Sequence, residues 1–455
     1  MQFFYPKALV RFTALVQLSR LEERTMTVTD IAVPRSISIE RNDYNTADKC
    51  TIELDAQTFP VLPRLIRQVL VQVYAGDAGS VDANPEDLQD DDELIRFIGY
   101  VDDPELTFEA QDGRIRWEAR DYTSLLLDTK RPDREAVPSY GDRLDTALRR
   151  ILDHVPGGSN IQLELQGLDE WPELSIGAPK GLKDAKIPVK PDESLWHLVK
   201  RACDPVALIP RIVLDKLVVG TSRGQRAPTR RAVFMLGDGI VKYQEKRNLS
   251  RIREGIGLTA YDIQQRKMIT ALYPPAGDWQ IRKSVKTAVK KQATPPPVSG
   301  AGTDDKRQWF PYPAVGSQAA LDAAAERLWE ERTRQEFEGS LEWVRMGAPT
   351  DAEDSEDLDY DVTRLENGDR IFIVIDAGHR RMLAGADGFD ARVQILIDLG
   401  YSERLAPVLV EAYEANADGP LEVYVRKATH KYAAEGGYDL AVDFQALLTA
   451  SKGAV

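Results

Sequence analysis

DPELTFEAQDGRIRWEARDYTSLLLD, residues 103–128, decides how the chain is read. Carboxylates and arginines crowd its first two thirds, a density that would suit acid/base chemistry. Two strands meeting at a turn account for them as well. Asp112-Gly113 is a pair favoured where both central residues of a tight turn need positive φ. Closure there sets Ala110 opposite Ile115, Phe108 opposite Trp117 and Leu106 opposite Ala119 on one face. The other face then pairs Glu109 with Arg116 and Glu105 with Arg120, and leaves Thr107 opposite Glu118. Apolar partners share one side and mostly opposite charges the other, at about 0.2–1 kcal/mol per cross-strand pair. The charges therefore have a sufficient structural reason, and the segment reads as a sheet wall running into Asp121.

Upstream, the same two-residue period recurs. Ala8, Val10, Phe12, Ala14, Val16 and Leu18 alternate with other residues, as in a half-buried strand. Ile37 and Ile39 lead through the turn-rich NDYN at 42–45 into Cys50, Ile52 and Leu54, and VLVQVYAG at 69–76 follows.

Downstream of Pro138 the period becomes helical. Asp142 is placed to cap a helix with Leu144, Ala147, Leu148, Ile151 and Leu152 on one face, and Pro156-Gly157-Gly158 ends it. A second helix at about 193–203 precedes the strand-like RIVLDKLVVG, with more β signal at 231–242 and 254–273. Ser317 is placed to cap a third helix with Leu321, Ala324, Ala325, Leu328 and Trp329 inward. Strands resume at 335–346 and 370–376, a helical section covers 389–415, and a closing hairpin turns around Glu435-Gly436-Gly437.

Composition excludes several classes. The 455 residues suffice for two or three domains, and 43% hydrophobic with 29% charged residues is ordinary for a globular protein. Cys50 and Cys203 are too far apart in sequence to read as a disulfide framework or zinc site. No run approaches the roughly 18–20 apolar residues of a membrane span. The N-terminus lacks the order of a signal peptide, so synthesis in a cytoplasm and no membrane anchoring are expected. A net charge of -14 argues against general affinity for nucleic acid.

Catalytic candidates are weak. Gly220-Thr221-Ser222-Arg223-Gly224 matches GxSxG after an apolar strand, but QRAPTRR follows where a nucleophile elbow needs a helix. His154, His197, His379 and His430 have no metal-binding spacing, and a packed His430 in the closing strand is favoured over a base. The acidic clusters at 85–93 and 351–361 miss the ligand positions of a calcium loop and read as solvated. With 73 acidic residues, some carboxylate pairs will stand at a glycosidase separation by chance, and none is singled out. No catalytic residue, cofactor or metal is expected.

The order of segments resembles the tail hub family of tailed phages and contractile injection systems, of the late control protein D type. Its "aD-x-x-x-l-x-l" looks like Ala47-Asp48-Lys49-Cys50-Thr51-Ile52-Glu53-Leu54, and its "f-x-G-x-v-d" like Phe97-Ile98-Gly99-Tyr100-Val101-Asp102. The DG hairpin then runs into "c-x-D-x-x-x-L-L", similar to Ala119-Arg120-Asp121-Tyr122-Thr123-Ser124-Leu125-Leu126. Further on, "e-s-x-w-x-x-l-x-x-l-a" resembles the stretch from Glu193 to Ala202, and "p-G-d-x-v-x-v" resembles Asn367-Gly368-Asp369-Arg370-Ile371-Phe372-Ile373. The closing "t-H-x-y" with "G-y-x-T" resembles Thr429-His430-Lys431-Tyr432 and Gly437-Tyr438-Asp439-Leu440, with leucine in place of the family's threonine.

The resemblance implies an α+β, β-rich fold with two similar β-barrel tube-type domains carrying helical and loop insertions. Residues 1–130 would form the first β-barrel hub domain, 131–204 a helical linker region, and 205–275 with 335–380 a discontinuous second β-barrel domain. A Pro/Lys-rich loop at 276–316, a helix at 317–334, a helical insertion at 381–420 and a closing hairpin with the C-terminus at 421–455 complete the division. Glu105, Phe108, Glu109, Asp112, Gly113, Arg116, Trp117, Arg120, Asp121, Gly368, Asp369 and His430 are its structural residues. It also implies a non-enzymatic homotrimeric ring at the virion tail tip or baseplate. That ring would join the hexameric tail tube protein to a central spike protein, with baseplate wedge proteins as further partners. The spike and any wall hydrolase are expected to be separate chains. An acidic channel would bind DNA only weakly, so DNA could pass during ejection. The alternative from another class is a cell-wall or ester hydrolase acting through Ser222 or a carboxylate pair.

Overall fold

The computed structural model describes residues 6–17, 25–42, 46–57, 63–77, 94–109, 112–130, 135–155, 157–174, 186–187, 189, 192–203, 208–220, 232–236, 239–247, 255–262, 267–273, 307–311, 318–333, 337–344, 362–374, 383–399, 402–403, 406–414, 421–433 and 437–446. In chain order the strands are β1 (Pro6–Gln17), β2 (Thr25–Ala32), β3 (Ser36–Arg41), β4 (Lys49–Asp55), β5 (Ile66–Asp77), β6 (Ile95–Glu109), β7 (Asp112–Asp121), β8 (Gln162–Gln166), β9 (Ile209–Val213) and β10 (Lys216–Gly220). They continue as β11 (Ala232–Leu236), β12 (Gly239–Arg247), β13 (Gly255–Asp262), β14 (Lys267–Tyr273), β15 (Arg307–Pro311), β16 (Phe337–Val344), β17 (Arg370–Val374), β18 (Leu421–Ala433) and β19 (Tyr438–Ala446). The helices are α1 (Tyr122–Asp128), α2 (Leu144–Leu152), α3 (Leu195–Cys203), α4 (Gln318–Thr333), α5 (Phe389–Asp398) and α6 (Ala406–Glu414). The fold is β-rich, with a large, mostly antiparallel sheet.

The chain divides into two compact units that interleave in sequence: one of residues 1–120, 226–245 and 339–446, the other of 121–225, 246–338 and 447–455. The first unit holds a 13-stranded sheet in the order β17-β11-β12-β16-β19-β18-β3-β4-β7-β6-β5-β1-β2, and β17 also pairs with β18. The six strands from β17 to β18 are thus linked in a cycle.

The other arm of this sheet curls. Ala8, Val10, Phe12, Ala14 and Val16 of β1 are buried, as their alternation requires, and so are Cys50, Ile52 and Leu54 of β4. The rings of Phe12 and Trp117 meet edge to face with centroids 5.4 Å apart, although β6 and β5 stand between their strands. In a flat sheet, strands three places apart lie about 14 Å from each other at ~4.8 Å per step. Only a curled sheet brings the two rings together, and β1 also comes against β18 at the far end of this arm.

The hairpin differs from the one expected. Asp112 and Gly113 already belong to β7, β6 stops at Glu109, and 110–111 between them lie outside the described residues. Arg120 holds Asp102 with its Nε, and its Nη2 donates to the same carboxylate at 3.2 Å, three residues before the expected Glu105. Gly99 lies against the far end of β7, where an added Cβ would stand 2.2 Å from the Arg120 carbonyl oxygen. That close approach explains the glycine.

Elsewhere in the first unit, α5 and α6 pack through Leu383, Leu396, Ala406 and Val410, with Phe389, Val393 and Leu409 against them.

The second unit contains two three-stranded sheets. In the order β8-β10-β9, β10 runs parallel to β8 and antiparallel to β9, with Leu214 at φ 56° in the β9–β10 turn. Helices α2 and α3 pack together; α2 buries Leu144, Ala147, Leu148, Ile151 and Leu152, the face read from sequence. Its expected cap is otherwise engaged. Asp142 accepts from the Ser139 N–H at 2.7 Å and from Arg150, and Arg143 occupies the N-cap position with no side-chain cap. The other sheet, β14-β13-β15, packs on α4 through Ile256, Leu258, Ala260, Ile269, Ala271, Leu321, Ala324, Ala325 and Trp329. Strand β15 falls within the stretch read as the 276–316 loop, where it pairs parallel to β13. Strands β9, β10, β13 and β14, grouped in sequence with the second barrel, stand in these separate sheets.

Candidate functional site

Polar side chains of the first unit concentrate where β18 changes partners. One edge of β18 pairs antiparallel with β17 from Leu421 to Tyr424, then with β3 from Ala428 to Ala433. Its pairing with β19 slips between Val425 and Lys427. At the change-over Gly368 N–H donates to the Val425 carbonyl at 2.8 Å, and Val425 N–H donates to Asp369 at 2.9 Å.

The sequence Asn367-Gly368-Asp369 builds this turn residue by residue. Gly368 has φ 91°, which favours glycine. Asp369 accepts the Glu366 N–H on its carboxylate at 2.8 Å. The Asn367 amide donates to two carbonyls, Asn42 at 3.1 Å and Arg426 at 2.8 Å. Both partners are acceptors, which fixes the orientation of the amide.

On the β3 side, Asp48 accepts from Arg41 Nη1 at 2.9 Å and from the Asn42 N–H at 2.7 Å. Arg41 also donates to the Arg96 carbonyl, and the buried Arg96 guanidinium donates to Thr363 Oγ1 at 2.9 Å. Burial raises the Asp48 carboxyl, with the Arg41 charge and the two hydrogen bonds acting against it. The same burial pushes the Cys50 thiol well above its ordinary value, the opposite of what a nucleophilic cysteine needs.

His430 is buried in this region. Its Nε2 lies 2.8 Å from the Leu365 carbonyl and its Nδ1 2.8 Å from the Tyr438 hydroxyl. The carbonyl can only accept, so Nε2 carries a proton, and the Tyr438 hydroxyl at Nδ1 also lies 3.4 Å from the Val362 carbonyl.

Residues singled out by sequence take separate places. Trp117 is fully buried opposite Ile52 of β4. Arg116 donates to Glu118 of its own strand at 2.6 Å, and Glu105 accepts from Thr107 at 3.5 Å. Gly113 accepts the Ala56 N–H at 2.9 Å. Asp121 caps α1, accepting from Thr123 N–H at 3.1 Å and Thr123 Oγ1 at 2.9 Å. The side chains of Phe108, Glu109 and Asp112 lie outside the described residues, as do Ser222 and His379. Gly368 and Asp369 meet at the β18 change-over, and His430, further along β18, bonds the carbonyl of Leu365 three residues before Gly368.

Asn42, Asn367, Arg96 and Thr363 were missed by the sequence reading. The Asn-Gly-Asp triplet carried a turn signal, but no local pattern points from it to Asn42.

The arrangement holds strands together. Among the described residues no group of three or more His, Cys, Asp or Glu could hold a metal ion, and no helix is long and apolar enough to cross a membrane. The other described histidines have local partners: His154 with the Arg150 carbonyl and His197 with Ser194 Oγ, each at 2.8 Å.

No family model matches the sequence, and no curated protein matches it. Among solved structures the chain is similar to the tail protein from Neisseria meningitidis MC58, at 12% identity over 96% of each chain with a TM-score of 0.54. It is also similar to the 43 kDa tail protein of prophage MuSo2 from Shewanella oneidensis, at 13% identity over 96% of this chain and 98% of that chain with a TM-score of 0.48. The first likeness is one of fold along nearly the whole length of both chains.

Proposed function

We propose that the chain is a non-enzymatic structural hub of a phage tail or baseplate, three copies of which form a ring between the hexameric tail tube and a central spike. The observation that carries this reading is the sharing of β18. Through it the first unit is a pair of curled walls: the cycle of β17, β11, β12, β16, β19 and β18, and the arm from β18 through β3, β4, β7, β6 and β5 to β1. We read these walls as the two similar β-barrel domains of a hub, the second split in sequence by the second unit. Two such domains in each of three copies give a pseudo-sixfold face, the symmetry a hexameric tube requires.

The fold shared with a tail protein supports the same reading, and so does the role of the Asn367-Gly368-Asp369 turn and His430 as strand-holding residues. A formal charge of -14 per copy suits a channel past which DNA slides without tight binding. The place of action is then the virion tail tip or baseplate, with tube, spike and baseplate wedge proteins as neighbours.

Sedimentation or mass photometry of the purified chain with its spike partner tests the proposal. Three copies per spike are expected, and a stable monomer that joins neither tube nor spike would overturn it. Wall-degrading activity abolished by Ser222→Ala would favour a hydrolase instead.

A further inference from the structure

Two strands compete for one edge of β18. Strand β17 takes Leu421–Tyr424 and β3 takes Ala428–Ala433, so some feature must fix where one stops and the other begins. Backbone pairing alone does not, because a strand edge repeats every two residues and would accept either neighbour further along.

Several side-chain ties among the described residues reach the change-over. Lys427 and Glu40 are 2.9 Å apart but each about one third exposed, which makes the pair a weak determinant. Arg41 and Asp48 brace the end of β3 from its own side. The Asn367 amide reaches both sides at once, bonding Asn42 just beyond the end of β3 and Arg426 at the slip in β18. It sits one residue before the Gly368–Val425 backbone bond that begins the β17 pairing.

We propose that Asn367 is the latch of a strand-exchange joint. It fixes the residue at which β18 leaves β17 for β3, and with it the angle between the two curled walls. Gly368 supplies the left-handed turn that aims the amide, and the slip at Arg426 presents the second carbonyl. The joint needs no assembled partner, so it stands apart from the hub reading.

Hydrogen–deuterium exchange on the full chain tests it with Asn367→Ala and Asn367→Asp. Losing both amide bonds should speed exchange at Gly368 and Val425 by about tenfold or more, with the β1 and β5 amides as protected as before. Asn367→Asp, which aims a carboxylate oxygen at two carbonyls, should speed it further. Unchanged exchange at Gly368 and Val425 would overturn the proposal, since backbone pairing would then suffice. Loss of protection throughout the first unit would overturn it too, by making Asn367 a general stability residue.

Discussion

Phe12 and Trp117 touch edge to face across the inside of a curled sheet, with their ring centroids 5.4 Å apart. Both are buried to within 1% of full burial, so the contact measures how tightly β1 and β7 are drawn round. Trp117→Ala should cost about 3–5 kcal/mol, the range for truncating a buried aromatic ring. Trp117→Phe keeps an aromatic contact and should cost less. Urea denaturation followed by circular dichroism separates the two, and equal midpoints for all three proteins would remove the ring pair from the core.

Glycine is required at Gly339 by space. A Cβ there would stand 2.3 Å from Cζ of Phe444 and 2.6 Å from the Gln244 carbonyl oxygen. The ring is boxed in, stacking on Tyr243 at 6.0 Å. Gly339→Ala should destabilise by about 1–3 kcal/mol or more through overpacking. Gly437→Ala, whose nearest neighbour would be an ordinary 3.6 Å away, serves as the control and should leave the melting temperature nearly unchanged.

Tyr438 supplies the hydroxyl that hydrogen-bonds His430 Nδ1. Tyr438→Phe keeps the ring but removes the partner of a buried nitrogen, at about 1–3 kcal/mol. Isothermal denaturation of Tyr438→Phe, His430→Ala and the double variant gives the coupling. Strict additivity would mean that the two side chains act independently.

Acid stability should depend on Asp145. Its carboxyl is held below the usual carboxylate range, first by the hydrogen bond from Arg143 and then by the Thr146 N–H, with burial opposing. A group depressed in the folded state contributes stability that is present above its unfolded value of about 3.9 and is lost as pH falls through the folded value. The difference in melting temperature between wild type and Asp145→Asn should therefore narrow as pH is lowered from about 5 to about 2. A gap that stays constant over that window would show that the carboxylate charge contributes nothing.

The elements were legible wherever one side of a segment is buried. Alternation in β1 and β4 and the helical faces of α2 and α4 all appear in the structure, because a two- or 3.6-residue period records burial directly. Partners were less legible. The DG pair is a sound turn signal, yet Asp112 and Gly113 belong to β7, and Arg120 finds Asp102 instead of Glu105. A period of two says which face a residue occupies but not its register along the neighbour. The meeting of Asn367 with Asn42 lies further beyond sequence reading, since it joins segments 325 residues apart. For Asp142, an available Ser139 N–H and the Arg150 guanidinium outcompeted the helix cap.

The joint at β18 also orders events during synthesis. Glu40 and Lys427, bonded across β3 and β18, are 387 residues apart in the chain. When β3 and β4 leave the ribosome, the edge of β3 that belongs to β18 has no native partner, and it stays open until β18 itself has been translated. At about 5–20 residues per second that is roughly 20–80 s of exposure. An open edge for so long is a template for pairing with other nascent chains. Completion of this sheet therefore waits for β18, and chains terminated before Leu421 should accumulate as aggregates or chaperone-bound intermediates.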